Sequence, residues 1–424
     1  MLSNPDPNGG RVAFTHPGFV LFQVARFLIV AAVEMQAVAV GWQVYEITKR
    51  PLDLGYVGLA QFLPAILLFP ISGHASDRFE RRHVLSACYA GYGVCFALLL
   101  LLTLRAPSIE LIYVVLVLIG IVRSFNSTAS RAILPQLVPQ EHFPNAVAWN
   151  ASIFQAATIL GPSFGGIVYA AFHGPETVYA IAMVTAIGAT ISSFRIRPEV
   201  KPRPREPMSL KTVFAGLHYI WNKKLILGAI SLDLFAVLLG GAVALLPVYA
   251  REILHTGPWG LGLLRTAPGV GAAVMAVFLA HWPMRGKSGP TLLWAVAGFG
   301  VFTIIFGISR SMTLSLISLF LLGASDMISV IIRATLTQLA TPDEMRGRVT
   351  AVDMIFIGTS NEFGQFESGV TAQWFGTVPA VVLGGIGTLV VIVLWALWFP
   401  ELRNAGPLHT IATGIETATT ADPA

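Results

Sequence analysis

Apolar stretches of about twenty residues recur from Gly18 to Phe399, separated by short polar segments, and few folds accommodate such a pattern. A helix rises 1.5 Å per residue, so each stretch is long enough to cross a hydrocarbon core of about 30 Å. Backbone N–H and C=O groups in lipid need partners within the protein, and runs of this length satisfy them as helices; a barrel strand needs only about ten residues. Charged residues make up 12% of the chain and hydrophobic ones 55%, with a mean hydropathy of +0.71, a balance that excludes a string of soluble domains. The pattern predicts an all-α integral membrane protein.

The apolar windows place spans at 18–43, 54–73, 84–104, 110–130, 146–171 and 176–194, then at 225–249, 259–281, 290–308, 312–332, 349–371 and 377–399. The predicted organisation is a tail over 1–17, a six-helix bundle over 18–194, a linker over 195–224, a second six-helix bundle over 225–399 and a tail over 400–424. The linker carries Pro198, Pro202, Pro204 and Pro207 among eight basic residues, and Leu210, Val213, Phe214, Leu217 and Trp221 follow helical spacing, which suits a short amphipathic helix at a membrane surface. With both termini cytoplasmic, nineteen Lys and Arg fall on the cytoplasmic side and five on the other, a clear positive-inside bias. The net charge of +5 and pI of 9.3 are therefore assigned to topology, and nucleic acid is not implied as a partner. Met1 to Pro17 lack the pattern of a cleaved signal, and Cys88 and Cys95, on one face of a span, read as packing residues.

An internal repeat supports two halves. Arg131-Ala-Ile-Leu134-Pro-Gln136-Leu137 after the fourth span recurs as Arg333-Ala-Thr-Leu336-Thr-Gln338-Leu339 after the tenth, each followed by an acidic residue, Glu141 or Asp343.

Between the second and third spans lies Gly73-x-x-x-Asp77-Arg78-x-x-Arg81-Arg82-x-x-Leu85. Gly73 would admit a close helix neighbour, Asp77 could face a positive helix N-terminus, and the arginines could bind carboxylates or anionic lipid. In this position the motif resembles the loop 2–3 signature of the major facilitator superfamily, with Ala75 in place of a larger aliphatic residue and Glu80 in place of glycine. In the fifth span Gly161-Pro162-Ser-Phe-Gly165-Gly166 resembles the antiporter motif of that superfamily's proton-coupled exporters. The proline removes a backbone hydrogen bond and the glycines offer a small-residue face, which ordinary tight packing would also use. Arg123-x-x-Asn126 resembles the superfamily's buried-arginine motif, with Ser127 replacing a glycine. The stretches from Met35 to Tyr45 and from Ser231 to Gly241 resemble the subfamily that includes the bacterial enterobactin exporter, the transmembrane secretion effector type. The resemblance implies the major facilitator fold, two pseudo-symmetric bundles moving about a site near the bilayer midplane, with spans one, four, seven and ten lining the pathway.

Charges inside spans are costly, about 2.5–3.5 kcal/mol each, and usually pair or line a cavity. Candidates for proton coupling are Glu34, Arg123, Asp233, Asp326, Glu362 and Glu367, with Arg26, Arg265 and Asp353 as further intramembrane charges. Six carboxyls against three arginines leave an acidic excess suited to proton carriage. Glu362 and Glu367 are about 140° apart around a helix, so at most one is expected to face inward. Gln36, Gln43, Asn126 and Asn361 are candidates for the substrate pathway, whereas Trp42 and Tyr45 read as an interfacial belt.

No phosphate-binding loop is evident, and the nine histidines show no paired ligand spacing and no cluster with carboxylates, so neither metal nor cofactor is expected. The expected activity is proton-coupled export of a small amphipathic solute, a drug or a siderophore-like metabolite, from a bacterial cytoplasm by a monomer in the inner membrane. Solute, protons and the bilayer are its expected partners. The acidic excess favours cationic cargo slightly, and the subfamily resemblance favours a siderophore-like one. Import in the same fold and, in another class, a membrane-embedded hydrolase or acyltransferase are the alternatives.

Overall fold

The computed structural model describes residues 10–68, 71–73, 78–105, 108–198, 210–282, 284 and 286–407. Among them the regular structure is helical throughout. The first six spans are α1 (Pro17–Thr48), α2 (Pro51–Leu67), α3 (Arg81–Arg105), α4 (Ile109–Ile133), α5 (Phe143–Phe172) and α6 (Glu176–Phe194). After α7 (Leu210–Asn222) in the linker come α8 (Lys224–Gly240), α9 (Gly257–His281), α10 (Ser288–Ile308), α11 (Met312–Leu339), α12 (Asp343–Phe375) and α13 (Thr377–Trp398). A helix thus lies at each of the twelve spans expected from hydropathy.

Ten spanning segments are long and apolar enough to cross a membrane by composition alone, the seventh continuing through irregular turns to Ile253. The other two depart for physical reasons. The helix α2 is 17 residues long and contains Pro64. The helix α12, 33 residues, carries Asp353, Glu362 and Glu367 among its apolar positions. Several helices outrun the predicted spans: α1 reaches Thr48, α11 reaches Leu339 and α12 starts at Asp343. Hydropathy windows stop where apolar residues give way to polar ones, whereas a helix continues wherever its side chains find partners or water.

Two compact units result. The first comprises Met1–Lys49, Leu59–Met208 and Thr256–Thr266, and the second Arg50–Gly58, Ser209–His255 and Ala267–Ala424. This departs from a clean six-plus-six division, because the first turns of α2 belong with the second unit and those of α9 with the first. Small residues are the cause. A Cβ added to Gly166 of α5 would lie 2.6 Å from the Pro258 carbonyl oxygen and 2.9 Å from Gly262 Cα, both in α9. In the second unit a Cβ on Gly369 of α12 would lie 3.0 Å from Gly55 Cα in α2. Only backbones without side chains approach so closely.

Packing within the units repeats. In the first, α1 packs on α5 and α6, and α3 packs on α4 and α6; in the second, α8 packs on α12 and α13, and α10 packs on α11 and α13. The core of the second unit includes Leu232, Leu292, Ile332, Leu336 and Trp395, whose indole N–H donates to Ser231 Oγ at 3.0 Å. That of the first includes Phe19, Phe22, Leu85, Phe96, Ile112 and Leu116, all fully buried. Cys88 and Cys95 are buried free thiols in this packing.

The amphipathic helix expected in the linker is α7. Its apolar stripe is split: Leu217 and Ile220 pack on Ile226, Ile230, Val349 and Val352, while Phe214 and Trp221 remain exposed. Gly216 permits this contact, since a Cβ there would come within 2.6 Å of the Arg348 carbonyl oxygen.

Candidate functional site

In the second unit the structure brings together two of the acids singled out from the sequence. Asp233 of α8 and Asp326 of α11 line one cavity with Ala236, Val237, Val296, Phe299 and Ser329. Spacing explains the polar wall: Asp326, Ser329 and Arg333 stand at i, i+3 and i+7, one face of α11. Arg333 Nη1 forms an ion pair with Asp233 Oδ2, and the two residues are 4% and 7% exposed. Asp353 of α12 lies within electrostatic reach of Arg333. Asp326, by contrast, makes no side-chain hydrogen bond or ion pair among the described residues. Among the described residues, one carboxylate at the cavity has a fixed counter-charge and the other has none.

Arg333 corrects the sequence reading. Spans ending at Ile332 and Ser130 place Arg333 and Arg131 in cytoplasmic loops. Both lie within helices, in α11 and α4.

The remaining acids of α12 are tethered. Glu362, buried, accepts from Gln365 Nε2 at 3.3 Å, and Glu367, half-buried, accepts from Thr371 Oγ1 at 2.6 Å. Asn361 is exposed, and its amide donates to the Ile357 carbonyl at 2.8 Å.

In the first unit the candidates scatter. Gln43 is buried and used at both ends, donating to Thr103 Oγ1 at 3.0 Å and accepting from the Tyr179 hydroxyl at 2.7 Å; it braces α1 against α3 and α6 and is not available to a solute. Gln36, 1% exposed, has neither amide atom hydrogen-bonded to a described residue. Asn126 accepts from Ser130 Oγ at 3.3 Å. Arg123 is exposed and within electrostatic reach of Tyr92. Glu34 sits at the crossing of α1 and α5, its Cβ 2.6 Å from where a Cβ on Gly161 would be. Trp42 and Tyr45, expected in an interfacial belt, are instead 7% and 3% exposed inside the unit, Trp42 meeting Tyr169 edge-on.

The loop 2–3 motif acts within the first unit. Arg81 Nη1 donates to the Ala132 carbonyl at 2.9 Å, near the end of α4, where free carbonyls attract a cation. Arg82 pairs with Glu80 at 2.5 Å and donates to the Ile196 carbonyl at 3.4 Å, and His83 meets Glu80 at 3.1 Å. Glu80, the departure from the family's glycine, thus supplies a carboxylate to two neighbours, including a histidine contact that sequence spacing did not suggest. Arg78 is exposed. Asp77 lies outside the described residues. At Gly73 the expected close neighbour is absent: an added Cβ would meet nothing within 4 Å among the described residues.

The glycine-proline motif of α5 is a packing seam. Gly161 and Gly165 abut Glu34 and Met35 of α1, and Gly166 abuts α9. The Pro162 carbonyl would lie 2.6 Å from a Cβ on Gly262, and Thr266 Oγ1 donates to the Ile159 carbonyl at 3.0 Å beside the interruption. The second unit repeats the seam without a proline, with Gly364 against α8 and Gly369 against α2. A second contact missed by spacing joins His16 Nε2 to His142 Nδ1 at 2.9 Å, 126 residues apart. Among the described residues no group of three or more His, Cys, Asp or Glu side chains could hold a metal ion.

The sequence profile of the Major Facilitator Superfamily matches residues 21–365. The chain belongs to that superfamily. This member is 28% identical over 399 residues to the enterobactin exporter EntS of Citrobacter koseri, a match covering 92% of this chain and 94% of the relative. It is 27% identical, with the same coverage, to EntS of Escherichia coli K12. Among solved structures it resembles the D-xylose–proton symporter with a TM-score of 0.71 and 13% identity, over 92% of this chain and 99% of the other, which bears on the fold alone. The superfamily's architecture of twelve helices in two bundles is the one described above. The chain is a multi-pass membrane transporter that takes a small-molecule substrate.

Proposed function

We propose that this transporter is a proton-coupled exporter of a small amphipathic solute, acting as a monomer in the bacterial inner membrane with both termini in the cytoplasm. The observation that carries the proton coupling is the unequal treatment of two carboxyls at one cavity. Asp233 is held by Arg333, whereas Asp326 has no cation among the described residues. A buried carboxyl without a counter-charge is accommodated by exchanging its proton, and such exchange is what a coupled carrier needs. Asp326 takes up a proton from the outer side and releases it inside, and Asp233 with Arg333 sets the field in which this occurs. Export, in preference to import, is supported by the likeness to EntS over 92% of the chain.

The test is solute accumulation in energised inverted vesicles with an imposed pH gradient. Asp326→Asn is expected to abolish the gradient-driven component while solute binding to purified protein stays within about threefold of the parent. Gradient-driven uptake by the Asn variant at the parent's rate would remove Asp326 from the coupling role. A pH gradient with no effect on the parent protein would remove proton coupling itself.

A further inference from the structure

Hydroxyls within a helix commonly donate to the carbonyl four residues back, and on α11 Ser318 does so to Leu314 at 2.7 Å and Thr335 to Ile331 at 2.8 Å. Ser329 and Thr337 of the same helix do not. They are 3% and 7% exposed, and neither hydroxyl has a hydrogen-bond partner among the described residues. The same holds for the hydroxyl of Thr341, 2% exposed in the turn after α11, and for Asp353 Oδ1 of α12.

These groups form a line. At 100° per residue Asp326, Ser329, Arg333 and Thr337 share about 80° of arc on α11 and cover roughly 16 Å of its axis. Neighbours in the line are three or four residues apart, a rise of about 4.5–6 Å, which is the span one water bridges with two hydrogen bonds of about 2.8 Å. At one end Ser329 lines the cavity that also holds Asp233 and Asp326. The other end, Thr341, is the turn between α11 and α12, on the cytoplasmic side in the topology proposed above. Buried oxygens without protein partners are met by ordered water. A guanidinium midway would repel a passing proton, but Arg333 has Asp233 as its ion-pair partner and Asp353 within electrostatic reach. Two carboxylates against one guanidinium leave the middle of the line negative, so it attracts the charge that has to pass.

We propose that the second unit holds a file of bound waters along this face of α11, anchored by Ser329, Thr337, Thr341 and Asp353, through which Asp326 exchanges its proton with the cytoplasmic side. In release, the O–H bond of Asp326 breaks toward the first water and each water passes on one of its own protons. The last O–H bond forms on the Asp353 carboxylate or on bulk water beyond Thr341, and Asp326 is left ionised. No electron moves and no further reactant is needed. The proposal rests on the reading of Asp326 as proton carrier and gives that carrier its route, with the three hydroxyls as positioning residues for water.

Time-resolved infrared spectra of the purified full-length protein in lipid bilayers, switched rapidly from H2O to D2O, test the route without any solute. The protonated-carboxyl band of Asp326, identified by its loss in Asp326→Asn, shifts as deuterium replaces the proton, and the rate reports access. Thr337→Val and Ser329→Ala are each expected to slow the exchange at least about tenfold, the equivalent of one lost hydrogen bond. Thr337→Ser, which keeps the hydroxyl, and Thr335→Val, whose hydroxyl bonds its own helix, are expected to exchange at the parent's rate. Exchange at the parent's rate in T337V, S329A and Thr341→Val alike would overturn the file of waters and leave Asp326 as a carrier reached by another route. Equal slowing in T335V and T337V would assign the effect to helix packing and overturn the file as well. A parent protein with no Asp326-dependent band at any pH would overturn carrier and route together. Should T337V not accumulate, S329A and T341V report the same rate.

Discussion

Asp233 and Arg333 show how much a single partner decides. Each is almost fully buried, so removing Arg333 leaves Asp233 without its ion-pair partner, a loss of about 3–5 kcal/mol, whereas removing Asp233 leaves Arg333 with Asp353 still in electrostatic reach and costs less. Arg333→Met is expected to lower the melting temperature of the detergent-solubilised protein sharply, and Asp233→Asn by less. The double variant should be more stable than Arg333→Met alone, because the buried Asp233 carboxylate is no longer left without its partner. A double variant whose loss equals the sum of the two singles would show the residues to be energetically independent. Sequence reasoning reached Asp233 because a carboxyl inside an apolar run is conspicuous. The partner is not legible there, because Arg333 is also the first charge after an apolar window and reads as the start of a loop. Gln43 failed in the opposite way: a glutamine in a span invites a role in the pathway, but Tyr179 and Thr103, 136 and 60 residues away, absorb its amide. Pairings across such distances have no local signal.

At the scale of helices, glycine position rather than helix propensity determines which elements touch. The motif in α5 was legible as a small-residue face, but its partner was not, and its counterpart in α12 was missed because Gly364 and Gly369 come without the proline that drew attention to Gly161 and Pro162. Repetition of the seam in both units means that it serves the architecture of each, so the motif by itself is weak support for export. A Cβ at Gly262 would lie 2.6 Å from the Pro162 carbonyl oxygen, whereas one at Gly369 would lie 3.0 Å from Gly55 Cα. Gly262→Ala is therefore expected to cost roughly 1–3 kcal/mol and Gly369→Ala less. Exposed Gly347, where an added Cβ meets nothing within 4 Å among the described residues, is the control expected to lose little stability. Thermal unfolding of the three variants reads the order directly, and an equal loss at Gly347 would mean that close approach is not the cause.

For the whole molecule, the positions of the twelve spans were legible because lipid imposes one length and one composition on every crossing, and α6 was read to the residue. The exchange of end segments was not legible, since the first turns of α2 and α9 look like any other helix start. That exchange gives the two halves of the chain a mutual dependence. The first compact unit includes Thr256–Thr266 from the second half of the sequence, and the second unit includes Arg50–Gly58 from the first. A polypeptide ending in the linker lacks the α9 turns against which Gly166 packs, and one beginning there lacks the α2 turns that cover Gly369. Each loses a backbone-to-backbone contact that no side chain in the remaining half can replace. The two halves produced separately are expected to be unstable in detergent, aggregating on size exclusion. Co-produced, they are expected to elute as one species that melts near the intact protein, because the exchanged segments cross between them without needing the linker peptide bond. Either half alone eluting as a monodisperse monomer with the intact protein's melting temperature would show that the exchanged turns are incidental to stability, and that each bundle's own six helices suffice.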